Sequence, residues 1–354
     1  MPIPIVHIVK RFGRVGGMES YVWHLVHGLV KCGVQVAVVC EQVCEPPVDS
    51  ILVFTVEASP ERPRWKSMLG FRERVDQKIR QVFFGQAVLI HSHERSLCHQ
   101  VTTFHGPPIE PSRGFSWFSR FTRRFNAWKQ MEREELLGPD VQMVLSVSSL
   151  TEMQLINAYP ELVDKSTDLA WPGVHPSKVD PSLSESMSAD HPQFLFVGKE
   201  WKRKGLDLAI GIVDEFRKSY AGATLTVFGV EEASLPYAIR GFDWVTFRGW
   251  VPAISWSDFD MLIHPARKEP FGMVVAEARG WGLPVLISSK VGAKDLNFSD
   301  TRIIDATAPS TEWCRAALEL LETNKREPEL KWSWSDLVLK HIEQIYPRLK
   351  AVNL

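Results

Sequence analysis

Short apolar segments alternate with helical ones along this sequence, and that alternation restricts the available folds more than any other pattern. Residues 3–10 (IPIVHIVK) have the composition of a buried strand. Residues 13–33 (GRVGGMESYVWHLVHGLVKCG) continue as a glycine-rich turn and a helix, and residues 34–40 (VQVAVVC) form the next apolar run. A strand, a helix and a second strand in this order predict a βαβ unit and a parallel sheet.

The alternation continues along the first half of the chain and begins again in the second half. Further strands of the first series are predicted at 86–93 (QAVLIHSH), 101–106 (VTTFHG) and 141–148 (VQMVLSVS). A new series then starts with residues 193–199 (QFLFVGK), followed by a helix over 205–220 (GLDLAIGIVDEFRKSY). The sequence therefore predicts an α/β protein of two Rossmann-like, doubly wound domains that face each other across a central cleft.

A segment without periodicity separates the two series. Residues 171–193 (WPGVHPSKVDPSLSESMSADHPQ) are rich in Pro and Ser, which indicates a linker. We therefore predict one domain over 1–175 and a second over 176–335. Residues 336–354 are predicted to form a helix that packs back towards the first domain.

The composition is that of an ordinary globular protein. The 354 residues are 45% hydrophobic and 23% charged, with a net charge of −1. No apolar run approaches the 18 residues of a membrane-spanning helix, and the N-terminus lacks a signal-peptide cleavage pattern. The five cysteines are scattered, which indicates reduced thiols. We therefore expect a cytoplasmic protein.

Residues 268–288 (KEPFGMVVAEARGWGLPVLIS) place two carboxylates, Glu269 and Glu277, around an otherwise apolar helix between two predicted strands. Pro270 fits the first helical position, and Gly272 leaves room for a phosphate at the helix N-terminus. A carboxylate that accepts hydrogen bonds from adjacent hydroxyls suits a ribose or a hexose. The pattern predicts a nucleotide-sugar site. The alternative is that Glu277 faces solvent and Glu269 belongs to a surface loop.

Two further segments place glycine or lysine after a predicted strand. Gly16 and Gly17 form a turn that permits close approach of a phosphate or sugar, although the G-x-G-x-x-G spacing is absent. Lys199 and Lys204 flank the start of the following helix, where both can reach a diphosphate. The alternatives are a structural turn for the glycines and a solvated turn for the basic run. Lys202–Arg203 is assigned to the solvated turn.

Histidines also occur at predicted strand ends. His105 is followed by a glycine and two prolines, and both a catalytic and a structural role fit this position. His91 and His93 end a neighbouring strand, but a metal site made from them would need a third ligand that the sequence does not identify. No metal ion is therefore expected.

Seven motifs follow one another along the chain: GGMES at 16–20, TTFHG at 102–106, SVSSLTEMQL at 146–155, WPGVHPSKVDP at 171–181, FVGKEWKRKGLDLAI at 196–210, FRGWV at 247–251 and EPFGMVVAEARGWGLPVLIS at 269–288. Their order and spacing resemble those of glycosyltransferase family 4, a retaining group with the GT-B fold. The resemblance covers nearly the whole chain, and the last motif is the most specific.

The resemblance implies transfer of a hexose from a nucleotide-diphosphate sugar, with the acceptor bound by the first domain and the donor by the second. It implies that Glu269 contacts the donor sugar, that Glu277 binds the ribose, and that His105 lies near the transferred sugar. Lys199 and Lys204 correspond to the basic pair on the diphosphate. The expected catalytic residues are His105, Glu269 and Lys204. The remaining donor contacts implied are Gly16 and Gly17 beside the phosphates, Val251 at the base, and the backbone of Phe271, Gly272, Met273 and Val274.

The chemistry implied by the resemblance needs no cofactor. The expected donor is a UDP-sugar, and the lysines rather than a metal ion supply positive charge to the leaving diphosphate. Other functions fit parts of the pattern. A sugar-nucleotide epimerase-like enzyme shares this architecture, and a non-catalytic sugar-binding scaffold is favoured if Glu269 and Lys204 are dispensable. A phosphorylase would require a pyridoxal-binding lysine that the sequence does not identify, and the incomplete glycine pattern disfavours an NAD oxidoreductase.

A basic stretch suggests where the acceptor is met. Residues 62–133 contain 14 Lys and Arg against 5 Asp and Glu, and the segment Arg113–Arg133 mixes these cations with Trp and Phe. Such a segment is suited to an anionic membrane surface. We expect peripheral docking on the cytoplasmic face of the membrane and a glycan or lipid-linked acceptor, such as a lipopolysaccharide core. The alternative places the aromatic side chains in the domain core. Nucleic acid is not an expected partner.

Overall fold

The structure of the protein is a computed structural model, and it forms two compact units. The first unit comprises Met1–Gly173 together with Trp334–Leu354, and the second comprises Val174–Ser333. The residues that the structure describes are 3–60, 62–109, 122–175, 191–322 and 327–354.

The first unit is built on a parallel sheet with the strand order β5-β3-β1-β6-β7-β8-β9. The central strands are buried along their whole length, as expected for parallel strands covered on both faces. Its strands are β1 (Ile5–Ile8), β2 (Arg11–Phe12), β3 (Val36–Cys40), β4 (Gln42–Val43), β5 (Leu52–Thr55), β6 (Ala87–Ser92), β7 (Val101–Phe104), β8 (Met143–Ser146) and β9 (Ser166–Leu169), of which β2 and β4 form a separate pair. Its first four helices are α1 (Gly17–Lys31), α2 (Arg64–Val82), α3 (Arg123–Leu137) and α4 (Ser149–Ala158).

The core of this unit lies on the sheet. Helix α2 places Met68, Phe71, Val75 and Ile79 on one face because these residues recur at three- and four-residue intervals. They pack on the apolar side chains of β1, β3 and β6. A second cluster packs β7 and β8 against α3 and α4.

The second unit repeats the plan with a six-stranded sheet of order β12-β11-β10-β13-β14-β15, in which every pair is parallel. Its strands are β10 (Gln193–Val197), β11 (Thr224–Phe228), β12 (Val245–Gly249), β13 (Met261–His264), β14 (Val285–Ser288) and β15 (Thr301–Ile304). Its helices are α5 (Trp201–Lys204), α6 (Leu206–Arg217), α7 (Met273–Gly280) and α8 (Ser310–Glu322). Helices α6 and α8 cover one apolar core.

The C-terminal segment belongs to the first unit. Helix α9 (Trp334–Lys340) continues as a π-helical turn over His341–Ile345, and β16 (Val352–Asn353) pairs antiparallel with β6. Lys340 Nζ lies 2.9 Å from Asp168 Oδ1, and this ion pair ties the helix to β9. The prediction of an α/β protein with two Rossmann-like units is confirmed. Residues 176–190 of the predicted linker lie outside the described ranges.

Candidate functional site

Glu269 lies in the loop after β13, and hydrogen bonds hold its backbone on both sides. Its N–H donates to the carbonyl of Lys290 at 3.0 Å, and its own carbonyl accepts from the N–H of Gly292 at 3.1 Å. The side chain is buried. The loop therefore presents a carboxylate at the carboxyl end of the sheet, which is the edge where open α/β sheets bind ligands.

Two cationic side chains and one histidine approach one oxygen of this carboxylate. Lys204 Nζ lies 2.9 Å and Arg203 Nη1 3.3 Å from Glu269 Oε2, and His264 Nε2 lies 3.5 Å away. Burial alone would raise the pKa of Glu269, but these neighbours hold it well below its ordinary value. Glu269 is therefore an anion at neutral pH. Its other oxygen, Oε1, accepts no hydrogen bond from the described residues and is available to a ligand hydroxyl.

The assignment of Arg203 to a solvated turn is wrong. Arg203 Nη1 donates to the carbonyl of Lys268 at 2.6 Å besides its contact with Glu269, while Nη2 donates to Glu200 at 2.7 Å. Helix α5 is a single turn, so two consecutive basic residues at its end both reach the Glu269 loop. A run of basic residues in a sequence does not show which of them reach a partner. Lys202 is exposed, as predicted.

Gly198 makes room for the side chain of Lys204, and Gly205 allows the backbone after Lys204 to approach Pro265. A Cβ atom at Gly198 would lie 2.1 Å from Lys204 Cδ, so the lysine stem crosses directly over this glycine. Gly205 ends α5 with φ +79°, and a Cβ there would lie 2.2 Å from the carbonyl oxygen of Pro265. The left-handed backbone and the close approach both require glycine at this position. The position of the ammonium group thus depends on two residues without side chains.

Helix α7 begins at Met273, three residues after the predicted start at Pro270. Gly272 precedes the helix with φ +91°, a left-handed conformation that interrupts helical geometry. Phe271 is buried, and its carbonyl accepts from the N–H of Ala293 at 2.7 Å. The first N–H groups of α7, at Met273 and Val274, have no acceptor within the helix, and unpaired donors at a helix N-terminus are suited to an anion.

The other predicted donor contacts differ in how they relate to Glu269 and Lys204. Glu277 is half-buried on α7, and burial raises its pKa, partly offset by the charge of Lys204. Lys199 is exposed and Val251 half-buried, and within the described ranges neither forms a side-chain hydrogen bond or ion pair with Glu269 or Lys204.

The predicted glycine loop of the first unit leads into α1. Gly16 is the N-cap of this helix in an extended conformation, and Gly17 is its first residue. A Cβ at Gly16 would lie 2.4 Å from Glu19 Oε2. Glu19 is buried and accepts a hydrogen bond from Arg11 Nε at 3.0 Å. The absence of a side chain at Gly16 therefore lets Glu19 fold back over the turn.

His105 follows β7 and lines a cavity of about 280 Å³. Its Nε2 lies 3.2 Å from His93 Nδ1, and Tyr21 packs edge-on against its ring at a centroid distance of 4.8 Å. Burial lowers the pKa of His105 to about 3, so the ring is neutral near pH 7. Other residues that line the cavity include Met18, Glu94, Arg95, Phe104 and Glu135.

The structure supplies a third histidine beside His91 and His93, which the sequence prediction missed. His7 of β1 is in register with His91 of β6, and nitrogens of His7, His91 and His93 all lie within 4.8 Å of one another. Both nitrogens of His91 are already hydrogen-bonded, to Thr103 Oγ1 at 2.7 Å and Tyr346 Oη at 3.0 Å. Within this cluster His7 and His93 lie at hydrogen-bond distance from each other, 3.1 Å, while His91 is held by Thr103 and Tyr346. The sequence feature that could have identified His7 is its position as a single histidine inside the apolar run at residues 3–10.

The predicted membrane-docking segment is described in part. Residues 113–121 lie outside the described ranges, while Arg123 and Arg124 are exposed at the start of α3. Phe125 is buried, and Trp128 packs against the core. The guanidinium carbon of Arg95 lies 5.1 Å from the Trp128 ring centroid. For these two aromatic residues the core alternative is correct. Across the described ranges, no helix combines the length and apolarity needed to cross a membrane.

Comparisons with known proteins match both units of the chain to glycosyltransferases. A family model described as Glycosyltransferase Family 4 matches residues 15–178, and one described as Glycosyl transferases group 1 matches residues 191–323. The D-inositol 3-phosphate glycosyltransferase of Paenarthrobacter aurescens is 25% identical over 384 aligned residues, covering 97% of this chain and 92% of that protein.

Solved structures give the same picture of the fold. WaaG, a glycosyltransferase involved in lipopolysaccharide biosynthesis, has a TM-score of 0.73 at 16% identity, with 97% of this chain and 96% of that chain covered. HepE of Anabaena, solved in complex with UDP-glucose, has a TM-score of 0.62 at 14% identity, with coverages of 98% and 100%. Both likenesses extend over both units.

Proposed function

Because this chain belongs to glycosyltransferase family 4 and has the GT-B fold, we propose that it transfers a hexose from a nucleotide-diphosphate sugar to a glycan or lipid-linked acceptor, with retention of anomeric configuration. The observation that carries the proposal is the buried Glu269 carboxylate, ion-paired through Oε2 to Lys204 and Arg203. Its Oε1 is left to accept a hydrogen bond from a sugar hydroxyl.

The charges around Glu269 suit the departure of a nucleoside diphosphate. Cleavage of the bond between the anomeric carbon and the diphosphate oxygen leaves negative charge on the phosphate and positive charge on the sugar. Lys204 and the N-terminus of α7 at Gly272 stabilise the phosphate, and Lys199 adds a second cation. Glu269 stabilises the sugar. The acceptor hydroxyl attacks from the leaving-group face and gives its proton to the departing phosphate.

The remaining donor contacts follow from the family motifs. Glu277 binds the ribose hydroxyls and Val251 meets the base, while Gly16 and Gly17 lie beside the phosphates. His105 contacts the transferred sugar. We propose a UDP-sugar as the donor, which the UDP-glucose complex of HepE supports. Transfer needs no divalent cation, because the lysines and the helix N-terminus supply the positive charge.

The acceptor is proposed to be part of a cell-surface polysaccharide or a lipopolysaccharide core, and the involvement of WaaG in lipopolysaccharide biosynthesis supports this class. A lipid-linked acceptor requires the enzyme to reach a membrane. Exposed Arg123 and Arg124 provide cations for docking on the anionic cytoplasmic face, where each contributes on the order of 1 kcal/mol.

Thermal-shift screening of the full chain against UDP-, GDP-, ADP- and CMP-sugars tests the proposal. One nucleotide class is expected to raise Tm by mass action, and EDTA should leave that shift unchanged. Glu269→Gln should reduce the extra shift that the intact sugar nucleotide gives over the free diphosphate. Glu232→Gln, on the exposed surface of the same unit, is the matched control and should behave as wild type. If no nucleotide sugar shifts Tm, the donor site is misassigned.

A further inference from the structure

Three histidines of the first unit form a continuous line that ends at His105. His105 Nε2 lies 3.2 Å from His93 Nδ1, and His93 Nε2 lies 3.1 Å from His7 Nδ1. His7 and His93 are buried, whereas His105 is half-buried on the wall of its cavity. His7 Nε2, at the inner end, is buried and has no partner among the described residues.

Hydrogen-bond accounting restricts this line to two states. Burial lowers the pKa of His7 and of His105 to about 3 and that of His93 well below its ordinary value, so all three rings are neutral near pH 7. A neutral imidazole has one N–H donor and one bare nitrogen, and His93 uses both nitrogens. If His93 donates from Nδ1, His7 also carries its proton on Nδ1, and so does His105. If His93 donates from Nε2, all three rings carry the proton on Nε2.

We propose that His93 and His7 are positioning residues, which fix the ring orientation of His105 and tie its tautomer to their own, so that the line sets which form of Nδ1 faces the transferred sugar. This inference rests on the proposed role of His105 beside that sugar. Nδ1 is the nitrogen left for a ligand, because Nε2 is committed to His93 and Nδ1 has no partner in the described part of the chain. A hydrogen bond on the second nitrogen of a histidine ordinarily sets the tautomer of the first.

The packing around the line keeps the rings in place. His91 stacks on His93 at a centroid distance of 4.3 Å, and Thr103 and Tyr346 hold His91 through its two nitrogens. A metal ion shared by His7, His91 and His93 would have to replace at least one of these bonds. The titratable and charged groups that face the line are Tyr21, His91, Glu94, Arg95, Glu135, His341 and Tyr346.

Long-range ¹H–¹⁵N spectra of the ¹⁵N-histidine-labelled full chain measure the tautomers directly. The wild-type protein is expected to show His7, His93 and His105 in one common tautomer. Different tautomers among the three, or a cationic ring at pH 7, would overturn the proposal. Binding of one equivalent of Zn²⁺ by the wild type but not by His91→Gln would also overturn the proposal.

Variants at His93 link the line to transfer. His93→Phe removes both hydrogen bonds, so His105 should become a tautomer mixture and kcat should fall roughly 10- to 100-fold, with affinity for free nucleoside diphosphate unchanged. His93→Gln retains one donor and one acceptor and should recover part of kcat. His27→Gln, a half-buried histidine outside the line, is the control. If His93→Phe keeps wild-type kcat, the positioning role is refuted. If the wild type shares one tautomer but lacks transferase activity, the proposed function fails separately.

Discussion

Replacing Gly198 with alanine is expected to disable the donor site although no charged residue is substituted. The backbone at Gly198 has no positive φ, so alanine adopts the same conformation. The new Cβ would lie 2.1 Å from Lys204 Cδ and 3.1 Å from Lys204 Cε. The first of these distances is too short for two carbon atoms that are not bonded. The lysine stem must therefore move, and its ammonium group leaves the position 2.9 Å from Glu269 Oε2.

The size of the effect follows from the bond that is lost. A hydrogen bond to a charged group contributes about 1.5–3 kcal/mol, and about 1.4 kcal/mol corresponds to a factor of ten. If Lys204 contacts the diphosphate only from its present position, kcat/KM falls roughly 10- to 150-fold. Tm should stay within a few degrees of wild type, because Arg203 remains paired with Glu269 and no cavity is created.

Steady-state transfer with the donor found by screening gives kcat/KM for each variant. Gly211→Ala is the matched control, because it lies in α6 and no atom of the described residues lies within 4 Å of its added Cβ. The double variant Gly198→Ala/Lys204→Ala should equal Lys204→Ala alone, since both changes remove the same contact. Additive losses in the double variant, or wild-type activity of Gly198→Ala, would refute this reasoning.

Other consequences of the same geometry can be measured separately. Lys204→Ala and Glu277→Ala should each weaken nucleotide-sugar binding in calorimetry without unfolding the chain, and wild-type affinity in both would contradict the donor site. The depressed pKa of Glu269 means that its contribution to stability is present above its ordinary value near 4.5 and is lost as pH falls below it. The difference in unfolding free energy between wild type and Glu269→Gln should therefore shrink below pH 4.5 in urea titrations, and a constant difference would argue against an ionised carboxylate. Co-sedimentation with anionic vesicles should weaken with salt and with Arg123→Glu/Arg124→Glu, whereas a protein that ignores such vesicles at low salt would disprove membrane docking.

The elements that depend on local pattern were predictable from the sequence. The apolar runs indicated the central strands of both sheets, because buried parallel strands read as continuous hydrophobic segments. The edge strands β5 and β15 are only partly buried, and they were not predicted. The Glu269 loop could be located since Pro270, Gly272 and the apolar run after them define a strand, a loop and a helix. The exact helix start could not, because glycine is compatible with both helical and left-handed backbone, and the sequence alone does not show that Gly272 adopts φ +91°.

Features that depend on long-range contact were not predictable. Arg203 reads as a solvated charge because its partners, Lys268 and Glu269, lie 65 and 66 positions further along the chain. His7 and His93 meet only because β1 and β6 are neighbours in the sheet, across a separation of 86 residues. A single sequence contains neither the strand order nor the register, so pairings of this kind require the structure.

The most direct measurement of the proposed chemistry is the separation of nucleotide binding from sugar transfer in Glu269→Gln. The amide cannot form ion pairs with Lys204 and Arg203, which leaves both cations free for the diphosphate. Free nucleoside diphosphate should therefore bind Glu269→Gln at least as tightly as it binds the wild type, while the rate of hexose transfer falls steeply. An equal loss of affinity for the free diphosphate, or transfer at the wild-type rate, would contradict a sugar-contacting role for Glu269.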